Sequence, residues 1–233
     1  AIALKKDHSS VVLVDGNMQF GDVAVFLNEQ VKNSILDLAP RADELDPDII
    51  KDVTITHAAS GLSILAAPPH LDLPDPVAEV QFTKILQFLR NLYDYIVIDT
   101  PSYLSETAQV AVDGCDLIVL ITTQDIPSIK NIHAFLTLTD ASEIKRDRIL
   151  FVLNRLDKKS GITPEQISKN LHQPFNILIP MDEDHLLINS INRGIPLILE
   201  KKDHPISKSF ILLASKVREQ LAKIEKENLR VAK

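Results

Sequence analysis

The chain has 233 residues, of which 45% are hydrophobic and 24% are charged, and its formal net charge is -7. These values are ordinary for one α/β domain, and the acidic balance argues mildly against a generic nucleic-acid binder. A single cysteine excludes an internal disulfide and fits the reducing cytoplasm, and no apolar run is long enough to cross a membrane.

The first clear strand is the apolar run at residues 11–15, which ends in an acid. Residues 1–6 before it have helical composition but no start signal, so we expect the end of a helix that begins upstream. The loop at 16–22 contains two glycines, which permit unusual backbone angles. Residues 39–52 are acidic and rich in turn formers, which predicts a surface excursion. A second strand is predicted at 62–67.

A helix is predicted from about residue 77 to 92, and the strand at 95–98 follows it. Its four apolar residues predict a strand buried on both faces, which ends at Asp99 and is stopped by Pro101. Ligands of open parallel sheets bind beyond the carboxyl ends of the strands. An acid placed there can hold Mg²⁺ through water while the cation neutralises phosphate. The alternative is that Asp99 only ends its strand in a turn.

The rest of the chain continues the alternation of helices and strands. Further strands are predicted at 117–123, 149–155 and 175–179, and further helices at 105–112, after Asp125, after Thr163, at 183–192 and at 207–227. This alternation predicts a parallel sheet covered by helices on both sides. No linker or repeat interrupts it, so we expect residues 1–233 to form a single domain.

Four motifs occur in order at the predicted strand ends: Val-Asp-Gly-Asn-Met-Gln-Phe-Gly-Asp at 14–22, Ile-Asp-Thr-Pro at 98–101, Leu-Asn-Arg at 153–155, and Ile-Pro-Met-Asp at 179–182 leading to Asn-Arg-Gly-Ile-Pro at 192–196. Together they resemble the MinD/ParA family of deviant Walker ATPases. The loop at 19–22 and the segment at 124–131 look most like the CpaE/TadZ branch, which helps to place Flp-type (Tad) pilus machinery.

The resemblance implies a P-loop NTPase-like fold, with a doubly wound, mostly parallel sheet and helices on both faces. It also implies that the protein binds ATP or ADP with Mg²⁺ and forms a homodimer through the nucleotide face. The implied role is to position a cellular assembly, such as a Tad-type pilus or secretion apparatus. The partners would be proteins of that machinery, which would recruit a cytoplasmic protein to the inner membrane or the cell pole.

The resemblance also assigns site residues. Asp99 matches the Walker B acid that holds Mg²⁺ through water, and Thr100 and Pro101 begin the switch that senses the γ-phosphate. The first switch contains Asp15, Asn17 and Asp22. Adenine would be bound by Asn154, with Arg155 beside it, and by the backbone from Pro180 to Asp182. The alternatives are that Asn154 only ends a strand and that Asp182 only caps the next helix. The acids at 182–184 with His185 are better explained by a helix amino terminus than by a metal site.

Two departures from the family pattern limit the expected activity. No Gly-x-x-x-x-Gly-Lys-Thr loop is present in these residues, so we expect the phosphate loop and the first strand to lie upstream of Ala1. Asn17 stands where the family usually has a second acid, and an amide cannot accept a proton from the attacking water. We therefore expect nucleotide binding by the full-length protein with weak or absent hydrolysis.

Two other classes of function remain open from the sequence. One is a scaffold that keeps the fold but binds partners without nucleotide. The other is a metabolic α/β enzyme of the same superfamily, which would need a dedicated small-molecule pocket. The tail at 224–233 has too few apolar residues for a stable membrane anchor.

Overall fold

The computed structural model describes residues 1–5, 9–69 and 77–231. The chain divides into two compact units. The first unit contains residues 1–114 and 187–200, and the second contains residues 115–186 and 201–233. The expectation of one domain for residues 1–233 stays a prediction.

The described strands alternate with helices along most of the chain. The strands are β1 (Val11–Asp15), β2 (Ile55–His57), β3 (Leu62–Leu65), β4 (Tyr95–Asp99), β5 (Ile118–Thr122), β6 (Ile149–Leu156) and β7 (Ile177–Pro180). The helices are α1 (Val23–Phe26), α2 (Ile35–Leu38), α3 (Pro47–Val53), α4 (Glu79–Leu89), α5 (Glu106–Gly114), α6 (Ile126–Ala141), α7 (Pro164–Leu171), α8 (Leu186–Arg193), α9 (Leu197–Glu200) and α10 (Pro205–Val231). Short 3₁₀ turns lie at Ile2–Leu4, Ala39–Arg41 and Arg146–Arg148.

The first unit contains a four-stranded sheet in the order β2-β3-β1-β4. The strand β1 pairs in parallel with both β3 and β4, whereas β2 pairs antiparallel with β3. Its core includes Phe82, Ile85 and Leu89, which recur at helical spacing along α4 and are fully buried against Val12 and Val14 of β1. The spacing in the sequence predicts that one stripe of this helix packs on the sheet, formed by Val77, Val80, Ile85, Phe88, Leu89 and Leu92. Ile85 and Leu89 are buried as predicted, whereas Val80 is 63% exposed and Phe82, outside the predicted stripe, is buried.

The second unit contains a three-stranded parallel sheet in the order β5-β6-β7. The strand β6, which is buried from Ile149 to Leu153, forms its centre, and Phe151 stacks on Phe175 with ring centroids 4.2 Å apart. The long helix α10 packs against β7. Two parallel-rich sheets with helices confirm the predicted α/β class.

Several helix ends follow their sequence signals. Asp125 caps α6 by accepting a hydrogen bond from the backbone N–H of Ser128 at 2.8 Å. Thr163 and Gln166 form the predicted capping box of α7. Gly194 follows α8 with a φ of 63°, the left-handed conformation that glycine adopts without strain.

Two local expectations were wrong, and one strand was not predicted. Residues 39–52 are not only a surface excursion, because α3 lies there and buries Ile50 and Val53. The short antiparallel strand β2 was not predicted, since its sequence Ile-Thr-His carries no clear alternation. The strand β4 is half-buried rather than buried on both faces, because it lies at the edge of its sheet.

The edge strands of the two sheets differ in how well they are protected. The short β2 carries Thr56 and His57, and β7 ends at Pro180, features that discourage further pairing. In contrast, β4 and β5 are edge strands made almost entirely of apolar residues. Ile121 of β5 is 54% exposed. Each of these two edges is therefore open to pairing with another strand.

Candidate functional site

The two predicted acids of the first unit lie side by side. Asp15 ends β1, Asp99 ends β4, and the two residues are direct partners in the parallel register. Both strands run the same way, so both acids lie at the carboxyl edge of the sheet, where ligands of α/β proteins bind. This register places Asp15 and Asp99 at adjacent strand ends, and their assignment as nucleotide-site residues stays a prediction.

Asp15 is buried and its carboxylate holds the loop that follows β1. The side chain is 2% exposed. One oxygen accepts a hydrogen bond from the backbone N–H of Asn17 and the other from that of Val23, both at 3.2 Å. Burial raises the pKa of Asp15 to about 6, although the two N–H donors act against it, and Asp99 and Asp22 contribute a smaller rise. Asp15 therefore connects both ends of the loop at 16–22.

The backbone of this loop packs tightly against β4 and α5. The N–H of Gly16 donates to the carbonyl of Asp99 at 2.7 Å, and the hydroxyl of Thr107 donates to the carbonyl of Gly16 at 3.1 Å. A Cβ on Gly16 would lie 2.6 Å from the carbonyl oxygen of Asp99. A Cβ on Gly21 would collide with the Cβ of Ala67 and lie 2.5 Å from a carboxylate oxygen of Asp15. Both glycines are needed for close approach rather than for a left-handed turn.

Asn17 uses its side-chain amide inside the loop. Its Nδ2 donates to the carbonyl of Phe20 at 2.9 Å, and its Oδ1 accepts from the N–H of Phe20 at 3.3 Å. Phe20 itself is 64% exposed. The amide thus shapes the turn that presents Phe20 to solvent, and its assigned role in hydrolysis stays a prediction.

Asp99 is partly open to solvent at the strand end, followed by exposed Thr100 and half-buried Pro101. Partial desolvation, and to a smaller degree the charge of Asp22, raise the pKa of Asp99. Within residues 1–5, 9–69 and 77–231, no group of three or more His, Cys, Asp or Glu side chains is arranged to hold a metal directly. This acid pair suits a cation that keeps most of its water and other oxygen ligands, as Mg²⁺ does.

The second unit carries the predicted adenine-binding residues at one end of its sheet. Asn154 and Arg155 lie near the end of β6, where the pairing with β7 is irregular between Leu153 and Leu156. Arg155 has a φ of 55°, which is unusual for a residue other than glycine, and its N–H donates to Oδ1 of Asn154 at 3.0 Å. Irregular strand ends of this kind are often found beside functional sites.

Pro180 lies at the same edge, because it pairs with Leu156, and the N–H of Met181 donates to the carbonyl of Leu156 at 3.0 Å. The carboxylate of Asp182 accepts from the N–H of Leu186 at 2.9 Å. Asp182 therefore accepts a hydrogen bond at the start of α8, which agrees with the helix-capping role given as the alternative in the sequence analysis. The structure brings Asn154, Arg155 and Pro180 together within the second unit.

Two residues with clear positioning contacts were not predicted as part of the site. Thr107 is buried, and its hydroxyl donates a hydrogen bond to the carbonyl of Gly16, which lies 91 positions earlier in the sequence. Gln124 joins the end of β5 to the loop after β6: its Oε1 accepts from the N–H of Asp157 at 2.6 Å, and its Nε2 donates to the carbonyl of Ile162 at 2.8 Å. Single polar residues at such separations carry no sequence signal.

No protein-family model matches the chain. Curated proteins do: the septum site-determining protein MinD of Synechocystis is 25% identical over 209 residues, which cover 86% of this chain and 74% of that protein. The MinD protein of Thermotoga maritima is 23% identical over 238 residues, covering 99% of this chain and 85% of that protein. The likeness therefore extends along almost the whole chain.

Solved structures show the same fold. A ParA family ATPase from Chlorobium tepidum superposes with a TM-score of 0.83 at 22% identity, covering 91% of this chain and 88% of that chain. MinD of Pyrococcus horikoshii in complex with Mg-ADP gives 0.77 at 22% identity, covering 93% and 86%. The MinC:MinD complex of Aquifex aeolicus gives 0.75 at 21% identity, covering 93% and 86%.

The chain is therefore similar in sequence to MinD proteins, and its fold is that of the ParA/MinD P-loop NTPases. The comparisons do not single out a branch of the family. Among the helices in the described part of the chain, none is both long and apolar enough to span a membrane.

Proposed function

We propose that the protein, as a relative of MinD and ParA ATPases, is a nucleotide-dependent switch that binds ATP or ADP with Mg²⁺ and positions a cellular assembly. The observation that carries this proposal is the register pairing of Asp15 with Asp99 at the carboxyl edge of a ParA/MinD-like sheet. The Mg-ADP complex of a similar MinD structure supports the choice of ligand.

In this proposal Asp99 holds Mg²⁺ through water, and the bound cation neutralises phosphate charge. The raised pKa of Asp99 fits the role, since a desolvated acid beside Asp22 gains from a nearby cation. Asp15 holds the loop at 16–22 against β4, so that loop can respond to the ligand state of Asp99. Thr100 and Pro101 follow Asp99 directly and carry the response into the next loop.

Asn154, Arg155, Pro180 and Asp182 are proposed to bind the base. The Nδ2 group of Asn154 has no role in the hydrogen bond to Arg155, so it can donate to adenine. The irregular end of β6 holds this amide at the sheet edge, which supports the assignment.

Hydrolysis is proposed to be slow. Asn17 cannot take a proton from water, and both ends of its amide already bond to Phe20. A protein with this loop is suited to hold its nucleotide for long periods, as a weakly hydrolysing ATPase or pseudo-ATPase.

The nucleotide site is proposed to be completed by a phosphate-binding loop, and residues 1–233 contain no Gly-x-x-x-x-Gly-Lys-Thr segment of that kind. The apolar edges of β4 and β5 support an additional strand, because edges of this composition are otherwise prone to aggregation.

The proposed switch acts as a homodimer formed through the nucleotide face and is recruited by partner proteins. The MinC:MinD complex of a similar structure supports partner binding in general. We further propose, from the motifs at 19–22 and 124–131, that the assembly is a Tad-type pilus or secretion apparatus, to which partners recruit the protein at the inner membrane or cell pole.

Binding of a fluorescent ATP analogue to the full-length protein tests the proposal. We expect saturable, Mg²⁺-dependent binding, and mass measurements by light scattering should show a dimer only with ATP and Mg²⁺. Asp99→Asn should remove the Mg²⁺ dependence, whereas the exposed control Asp94→Asn should not. Equal dimer content with and without nucleotide would favour a nucleotide-independent scaffold instead.

A further inference from the structure

The second unit contains a groove between α6 and α7 with a volume of about 430 Å³. One face of α6 forms one wall, because its lining residues recur at helical spacing. The loop before α7 and α7 itself form the other wall. The lining includes Ile126, Ile129, Lys130 and His133 of α6, and Ile162 and Ile167 on the opposite wall. We refer to this feature as the α6–α7 groove.

The groove has an apolar floor and an exposed apolar entrance. Ile167 is 1% exposed, and the half-buried Ile129 and Ile162 pack on the core of the second unit. Ile126, at the entrance, is 67% exposed. An isoleucine so open to water beside an apolar floor is costly to hydrate, and its burial by a partner would be favourable.

The walls of the groove are held in place without a partner. Gln124 bonds to the carbonyl of Ile162 at 2.8 Å and to the N–H of Asp157 at 2.6 Å, which ties the loop before α7 to the end of β5. The capping box of Thr163 and Gln166 fixes the start of α7. A preformed groove of this kind binds with a smaller loss of conformational entropy than a flexible one.

The charge on the rim distinguishes the groove from the rest of this acidic chain. Lys130 is exposed and forms no ion pair within the described residues, and His133 lies one turn further along α6. No acidic side chain lines the groove. The nearest acid on this helix, Asp125, is engaged as the cap of α6 through Ser128. The rim is therefore complementary to an acidic ligand.

We propose that the α6–α7 groove is a docking site for an acidic amphipathic segment of a protein partner. Apolar side chains of that segment would cover Ile126, Ile129 and Ile167, and a carboxylate would pair with Lys130. The two turns of α6 that line the groove extend for about 10 Å, which suits two turns of a docked helix.

The inference does not depend on nucleotide binding, so the test uses the protein without nucleotide. The probe is a fluorescein-labelled amphipathic peptide of about four helical turns, with leucine on one face and glutamate along both flanks. Its matched control has lysine in place of glutamate. We expect fluorescence anisotropy to show saturable binding of the glutamate peptide, at least about tenfold tighter than the lysine peptide and weaker at high salt.

Two substitutions locate the binding site. Ile126→Asp should weaken binding about tenfold, and Lys130→Glu should reverse the preference toward the lysine peptide. Leu138→Asp serves as the matched control, since Leu138 is 45% exposed on the same helix but does not line the groove. Lys226→Glu on α10 is the corresponding charge control.

Several outcomes would overturn the proposal. They are equal binding of the two peptides, the absence of saturation, and equal effects of Ile126→Asp and Leu138→Asp. Sedimentation velocity supplies a further check: self-association that Ile126→Asp abolishes would assign the groove to a second copy of the chain instead.

Discussion

The two sheet ends that carry the candidate site residues are built in different ways. At the end of β1 in the first unit, Asp15 is buried, accepts two backbone hydrogen bonds and is enclosed by a loop that has room only for glycine at two positions. At the end of β6 in the second unit, Asn154 is half-buried, and among the described residues its side chain bonds only to the N–H of its neighbour Arg155. The first end is braced by long-range contacts, whereas the second is shaped by a local irregularity of the backbone.

The difference shows how each end can serve a ligand. A buried acid in a tight loop is sensitive to charge and therefore suited to respond to a cation or phosphate. A half-buried amide on an irregular strand end is free to bind without disturbing the core. Substitutions should therefore affect mainly stability and its pH dependence at the first end, and mainly ligand affinity at the second.

The largest expected effect is on the pH dependence of stability, measured without nucleotide. Because the pKa of Asp15 rises from 3.8 to about 6 on folding, ionisation of Asp15 opposes folding by about 3 kcal/mol. This cost is nearly absent below about pH 3 and nearly complete above about pH 7, because each ionisation extends about one pH unit to either side of its pKa. The unfolding free energy of Asp15→Asn, relative to the wild type, should therefore rise by about 3 kcal/mol between these pH values in urea titrations.

Asp94→Asn is the matched control for this titration. The pKa of the exposed Asp94 is lowered by hydrogen bonds from the backbone and hydroxyl of Ser10, so its contribution has the opposite sign. Relative to the wild type, Asp94→Asn should lose stability as pH rises. If the unfolding free energies of Asp15→Asn and the wild type change with pH in the same way, folding does not raise the pKa of Asp15.

The next effect concerns the packing of the loop at 16–22. Gly21→Ala should lower the unfolding free energy by about 2 kcal/mol, because the new Cβ collides with Ala67 and approaches the carboxylate of Asp15. Urea unfolding would measure this. Gly161→Ala, where a Cβ meets no atom within 4 Å, should change stability by less than about 0.5 kcal/mol. Equal effects of the two substitutions would contradict the packing seen at Gly21.

At the end of β6, Asn154→Ala should leave stability almost unchanged and weaken ATP binding about tenfold, the value of one lost hydrogen bond. Binding of a fluorescent ATP analogue measures the affinity. The substitution Asn170→Ala is the control, because Asn170 is exposed. Asn176 is not suitable as a control, because its Oδ1 accepts a hydrogen bond from the backbone N–H of Phe151. Unchanged affinity in Asn154→Ala would remove this residue from the base-binding site.

The smallest effect tests the backbone at the end of β6. Arg155→Gly should raise the unfolding free energy by up to about 1 kcal/mol, since glycine adopts the φ of 55° without a steric penalty. Arg155→Ala keeps the penalty and removes the side chain, so it should not stabilise the protein. A loss of stability in both variants would mean that the side chain matters more than the backbone strain.

Much of the fold follows from the sequence because its strongest signals are local. The apolar runs predict the positions of β1, β4 and β6, and Asp125, Thr163 and Gly194 mark helix ends through bonds to near neighbours. The helix that was not predicted also has a physical explanation. The helix α3 buries Ile50 and Val53, but most of it lies in a segment whose acidic composition predicts an exposed loop.

The candidate site was predicted less completely than the fold. Asp15 and Asp99 were found because acids at strand ends are visible in sequence and parallel strands bring their ends together. Thr107 and Gln124 were missed because each acts through hydrogen bonds to backbone groups far along the chain. Nothing near either residue in sequence indicates its partner.

The sequence by itself determined the alternation of strands and helices and the placement of acids and an amide at strand ends, because periodicity and capping depend on neighbouring residues. Only the tertiary structure decided that β4 lies at a sheet edge, that Asp15 is buried with a raised pKa, and that Asn17 bonds to Phe20. Those properties depend on strand order, desolvation and close packing, which arise only when distant segments meet.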